Sequence, residues 1–234
     1  MIFKDLILNL IFPPYCLYCE KPGASLCSVC QQYLESESFP VCIICENLCI
    51  NGNTHKYCKQ NNQYAPDSFR FNYVYNFLSR KVILSAKSDP FAYTNIKTLL
   101  DRNISQSFKN EKFDLIVPIP PSASSNRLQD IVVYFSGFLS TELNIPIRKV
   151  LENTTKTQKK LDRSNRVENT LNKFKIKSEN THQIEGKSIL LIDDISTTGL
   201  SIINAAKILK QLGANKVVCY ALCKDLRYNR LRNV

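Results

Sequence analysis

The chain has 234 residues, 44% of them hydrophobic and 22% charged, a balance that excludes wholesale disorder and supplies enough apolar material for one or two packed domains. No apolar run approaches the ~18 residues of a membrane span. The formal charge of +11 is unevenly spread: residues 1–62 are net −1 and residues 63–234 net +12. The larger part therefore suits an anionic partner such as nucleic acid, a phosphate-rich ligand or acidic lipid, unless the charge is only drift in a Lys- and Asn-rich chain.

At the start, Ile2, Phe3, Leu6, Ile7, Leu10 and Ile11 recur at helical spacing up to Pro13-Pro14. This predicts a short amphipathic helix that packs on the protein or makes peripheral contact with a membrane surface. The segment lacks the basic start and small-residue cleavage site of a secretory signal. The chain is thus expected in the cytoplasm, where thiols stay reduced and paired cysteines point to metal rather than disulfides.

Eight of the ten cysteines lie from Cys16 to Cys58. Cys16-Leu-Tyr-Cys19 is followed after seven residues by Cys27-Ser-Val-Cys30, with Pro22 and Gly23 supplying the turn. Two such knuckles can close a tetrahedral four-sulfur site around Zn²⁺. Cys42-Ile-Ile-Cys45 leads after nine residues to His55-Lys-Tyr-Cys58, a second candidate zinc site. Cys49 competes with His55 for its fourth position; His55 repeats the two-residue spacing of the other knuckles and is preferred. Crossed pairing between knuckles is a further arrangement the spacing allows. Both ions would be structural, because protein fills every coordinating position, and would stabilise a region whose own core is small. Cys219 and Cys223, spaced i, i+4 on a strand, read as core thiols.

From about residue 63 the composition changes. Phe69–Phe77 alternates aromatic and polar residues as a strand does. Residues 82–100 read as helical pieces broken at Asp89-Pro90. Asp114–Ile119 reads as a buried strand, Asp130–Asn144 as a helix and Ser188–Ile192 as a second buried strand. Ser201–Leu212 follows as a helix ended by Gly213, and Val217–Leu222 as the next strand. Strands alternating with helices predict an α/β domain with a mainly parallel sheet over residues 63–234, preceded by a double zinc ribbon over residues 1–62.

The most informative stretch is Leu190-Leu-Ile-Asp193-Asp194-Ile-Ser-Thr197-Thr198-Gly199-Leu200-Ser201. It puts two acids at the carboxyl end of a buried strand, where ligands bind in parallel sheets. A loop of hydroxyl side chains and Gly199 then opens a helix, whose N-terminal amides and dipole favour a phosphate. Acids beside a phosphate cradle suit sugar hydroxyls or a cation. No GxxxxGK[ST] or GxGxxG loop is present, so the nucleoside-triphosphatase and dinucleotide-fold readings lack their phosphate elements.

This stretch resembles the phosphoribosyl-pyrophosphate (PRPP) signature of type I phosphoribosyltransferases. Gln158, Leu161, Arg166, Asn169 and Phe174 upstream of it, Val117-Pro118-Ile119-Pro120, and the run of Phe12-Pro-Pro into the first knuckle are similar to the ComF family of competence proteins. The segment after Pro120 is shorter than in that family, and the loop ends Leu200-Ser201 where Ala-Thr is commoner. The resemblance implies that Asp193 and Asp194 form the catalytic pair on the ribose hydroxyls. It places the 5′-phosphate on Thr197, Thr198, Gly199, Leu200 and Ser201, and Mg²⁺ and Arg127 beside the pyrophosphate. It implies a role in DNA uptake during natural transformation, in contact with competence DNA-processing proteins. Either the chain transfers the phosphoribosyl group to an acceptor that no motif identifies, or it is a PRPP sensor or single-stranded nucleic-acid-binding module without turnover.

Residues 146–178 hold ten Lys and Arg against three acids. Lys156, Lys159, Lys160, Arg163 and Arg166 within them are candidates to follow the phosphates of single-stranded DNA or to cover the pyrophosphate. Phe174 is the one aromatic residue there for base stacking. The remaining reading is a solvated basic loop.

Overall fold

Seven-residue and nine-residue apolar strands build the centre of the molecule, seen in a computed structural model that describes residues 13–34, 40–88, 99–100, 104, 107–108, 110–121, 130–154, 174–176 and 182–226. The helix expected before Pro13 lies outside these residues, as do Arg127, Lys156, Lys159, Lys160, Arg163 and Arg166. The elements are α1 (Ser28–Gln31), α2 (Lys56–Asn61), β1 (Ser68–Val74), α3 (Phe77–Ser88), β2 (Leu115–Pro118) and α4 (Ile131–Leu143). They continue with β3 (Leu151–Asn153), β4 (Phe174–Ile176), β5 (Ser188–Ser196), α5 (Leu200–Gln211) and β6 (Lys216–Lys224).

Four strands form a sheet in the order β1-β6-β5-β2, every neighbouring pair parallel. β2, β5 and β6 are buried along nearly their whole length and read as near-continuous apolar runs, as parallel strands do, whereas the edge strand β1 alternates buried and half-buried positions. Ile116, Leu190, Ile192, Val218 and Tyr220 pack on one face with Val82 and Ile83 of α3 and Phe135 and Leu139 of α4. Phe69, Phe71, Leu115, Val117, Ile189, Leu191 and Val217 pack on the other with Ile202, Ala205, Ala206 and Leu209 of α5. The i, i+3, i+4, i+7 spacing of that last set is the buried stripe of an amphipathic helix. Beside the sheet, β3 and β4 make a small antiparallel pair.

Local chemistry sets the element ends. Asp130 caps α4 by accepting from the N–H groups of Val132 (3.0 Å) and Val133 (3.3 Å), and Asn144 closes it in the left-handed region. The alternation expected to run through Phe77 stops at Val74. Asn76 Oδ1 accepts from Leu78 N and Ser79 N (3.0 and 3.1 Å) and starts α3 there instead. Conversely, β5 runs beyond the apolar pattern to Ser196, so both acids lie inside the strand.

The cysteine-rich residues contribute to both faces. Cys16, Leu26 and Cys30 join the α3/α4 side, and Val41 and Ile43 join the α5 side. The second half is tied down further by Asp67, which accepts from Lys59 (3.0 Å), Lys210 (2.7 Å) and Val217 N (2.8 Å). Against the penalty of burial, the Lys210, Val217 and Lys59 hydrogen bonds hold its carboxyl below the ordinary aspartate value. Among the described residues no helix is long and apolar enough to cross a membrane.

Candidate phosphate site and metal centres

Side-chain alternation along β5 slips where the two acids stand. Strict alternation would place Ile195 with Leu191, yet it packs on the opposite cluster, as does its partner Cys223. Asp193 Oδ1 accepts from Asp194 N (2.9 Å), and Asp194 Oδ1 from Ile195 N (2.8 Å). Both carboxylates are buried at the carboxyl end of the strand. Asp194 Oδ2 also pairs with Lys87 Nζ of α3 at 2.5 Å. Asp193 and residues 195–202 line one open recess, so Thr197, Thr198, Gly199, Leu200 and Ser201 are brought together with the first acid.

Gly199 occupies the N-cap of α5 with φ 73° and no side-chain cap. A serine or aspartate there would spend an oxygen on the first amides of the helix, which glycine cannot do. Thr197 and Thr198 are exposed. The recess thus sets the hydroxyl side chains of Thr197, Thr198 and Ser201 beside the carboxylate of Asp193. Arg127 and the basic residues of 155–173 are outside the described residues, so the structure does not place them against this recess.

Two residues that the sequence reading passed over contact the acid pair and the loop without lining the recess. Lys87 lies far upstream of Asp194, and Lys224 ends β6. The latter is wholly buried and donates to the carbonyl oxygens of Thr197 (2.5 Å) and Asp225 (3.0 Å) and to Glu46 Oε1 (2.8 Å). A charged residue closing the otherwise apolar run Val217–Cys223 was the only signal of it.

In the cysteine-rich part, one ligand atom each from Cys16, Cys19, Cys27 and Cys30 lies within 4.8 Å of the others, and the same holds for Cys42, Cys45, His55 and Cys58. Each cluster is built from consecutive knuckles, without crossing. Cys49 is in neither; its N–H instead donates to Pro40 O at 3.0 Å. His55 Nδ1 faces Cys45 Sγ at 3.3 Å, while Nε2 donates to Leu48 O at 3.0 Å. That bond places the ring proton on Nε2 and leaves the Nδ1 lone pair toward the sulfurs, the orientation a histidine ligand takes.

The titration of the sulfurs fits a cation as well. Burial opposes ionisation of Cys16, but N–H groups of Cys19, Cys27 and Tyr18 outweigh it and bring the thiol down to about 6. Burial and neighbouring sulfurs push Cys30 and Cys58 up to about 12. Four thiols this close cannot all ionise alone, and a divalent ion removes that conflict. Soft thiolates with one imidazole fit Zn²⁺. Cys219 and Cys223 are buried in the core, where burial holds both thiols protonated.

Comparison with known proteins agrees with this geometry. The model of the phosphoribosyl transferase domain matches residues 92–232. The chain belongs to this phosphoribosyltransferase family. Its parallel α/β sheet, with the acid-ended strand leading into a glycine-capped helix, is the type I phosphoribosyltransferase fold, preceded by two cysteine clusters that fit zinc ribbons. Competence protein ComFC of Streptococcus pneumoniae is 29% identical over 211 residues, 88% of this chain and 83% of that protein. This extends the likeness beyond the domain and sustains the resemblance to the ComF family. Amidophosphoribosyltransferase of Saccharomyces cerevisiae is 27% identical over 180 residues, 74% of this chain; the match spans only 32% of that enzyme's length. Among solved structures, adenine phosphoribosyltransferase of the same yeast shares 18% identity over 70% of this chain and 80% of its own, with a TM-score of 0.40.

Proposed function

We propose that this phosphoribosyltransferase-fold protein binds PRPP in the recess between Asp193 and Ser201 and serves DNA uptake in natural transformation. One observation carries the first half: a buried acid pair inside a parallel strand leads directly into a glycine-capped, hydroxyl-lined helix N-terminus. In this reading Thr197, Thr198, Gly199, Leu200 and Ser201 take the 5′-phosphate, and Asp193 and Asp194 accept from the ribose hydroxyls. Lys87 offsets one of the two negative charges that would otherwise repel a polyphosphate. Magnesium enters with PRPP and supplies charge neutralisation at the pyrophosphate. The zinc sites hold the ribbon, Cys16, Cys19, Cys27 and Cys30 around one ion and Cys42, Cys45, His55 and Cys58 around the other.

Calorimetric titration of PRPP with Mg²⁺ tests this. Asp193→Ala with Asp194→Ala should weaken binding by roughly 1.5–3 kcal/mol for each lost bond to a charged acceptor, with zinc content unchanged. A wild-type protein that takes up no PRPP removes the reading. Pyrophosphate release with a series of acceptors then separates turnover from sensing, since release abolished in the double variant marks an enzyme.

The competence role rests on the likeness to ComFC and on the basic segment. Single-stranded DNA affinity should fall steeply with salt. Lys156→Ala, Lys159→Ala and Lys160→Ala together should shallow the logarithmic salt slope by about 2, from about 0.7 per phosphate contact. Salt-independent binding would show that this segment does not follow phosphates.

A further inference from the structure

The second cysteine cluster touches the Thr197–Ser201 loop directly. Ile43, between Cys42 and Cys45, is buried beneath Gly199: a β-carbon built at Gly199 would stand 3.0 Å from Ile43 Cγ1. Glu46 follows Cys45 in the left-handed region, φ 58°, with its N–H on Cys42 O at 2.7 Å. The knuckle's own turn thus fixes where Glu46 begins, and its carboxylate meets the Lys224 ammonium that holds the Thr197 carbonyl. Lys224 is itself fixed, pairing with Ser196 of β5 and Val74 of β1 across the sheet.

A buried ion pair is a poor device for stability alone, because desolvation consumes much of its attraction and an apolar pair of similar volume does as well. It does supply direction. Thr197 C=O and Thr198 N–H belong to one planar trans peptide and point to opposite sides. Drawing the carbonyl inward to Lys224 turns the Thr198 N–H outward, toward the exposed side of the loop where an anion would sit. We propose that Lys224, held by Glu46 of the second knuckle, is a positioning residue that sets the phosphate loop in its anion-accepting form and so couples that loop to the ribbon. The proposal rests on the reading of residues 197–201 as the phosphate site.

Amide hydrogen exchange on the full, zinc-loaded chain without ligand, followed by titration with PRPP and Mg²⁺, tests it. Lys224→Met should speed exchange of the 197–201 amides by on the order of tenfold or more and weaken PRPP binding by a similar factor. Glu46→Gln should do so to a lesser degree. Lys224→Met alone leaves Glu46 without its cation and should also lower protection at Leu190 and Val218; the double variant Glu46→Gln, Lys224→Met removes that charge, so protection there should return to wild-type values while the loop stays fast. If Lys224→Met does not fold, the double variant and Lys224→Arg carry the same comparison. Wild-type loop exchange in a folded double variant overturns the proposal, because the bridge then serves stability only. Wild-type protein that binds no PRPP, with loop exchange still raised in the variants, removes the phosphate reading and leaves the coupling of Lys224 to the loop in place.

Discussion

Gly52→Ala should be among the most damaging single substitutions in the chain. A β-carbon there would lie 2.1 Å from the backbone carbonyl oxygen of Phe69, and φ at this position is +75°. Phe69 is wholly buried in β1 and cannot retreat without moving the strand. The left-handed conformation alone costs about 1–2 kcal/mol for a residue with a β-carbon, and overpacking against a fixed neighbour adds roughly 1–3 kcal/mol. Gly186→Ala is the internal reference: its φ is +70° and nothing stands within 4 Å. Urea unfolding should show both variants destabilised, with Gly52→Ala lower by the overpacking contribution. Equal midpoints would mean that Gly52 does not stand against the Phe69 carbonyl of β1.

Removal of metal should have a still larger effect, confined at first to residues 13–62. Native mass spectrometry should count two zinc ions per chain. Binding free energies of structural zinc are about 10–16 kcal/mol, more than a core of this size supplies. Chelation should therefore strip exchange protection from the knuckles, while Leu190 and Val218 in the sheet stay protected. His55→Ala should release one ion and Cys49→Ser none. Binding requires deprotonated thiols, so metal affinity should fall as the pH falls, the more so because Cys30 and Cys58 hold their protons up to about 12 without a cation. A metal-free chain with unchanged protection at Cys16–Cys58 would contradict the assignment.

What was legible in the sequence was local. The knuckles are read from two-residue spacings, and the acid–hydroxyl–glycine loop from the twelve consecutive residues Leu190–Ser201. The helix Ile131–Leu143 is bounded by its own capping residues, within one position at each end of the expected span. Illegible were contacts assembled over distance. Glu46 and Lys224 meet across 178 positions, and Lys87 reaches Asp194 of β5 from the last turn of α3. No spacing rule connects such residues; the sheet order does. The extent of β5 was missed for another reason. Its apolar signal ends at Ile192, yet pairing with Ala221 and Cys223 carries the backbone on through the acids. Polar side chains at a strand end read as loop, although here they are the site.

Crystallisation of the zinc-loaded chain with PRPP and Mg²⁺ tests the central claim most directly. The account predicts the 5′-phosphate against the amides and hydroxyls of Thr197–Ser201, with ribose hydroxyls at Asp193 and Asp194. Clear density for PRPP at any other place, with this loop empty, would contradict it.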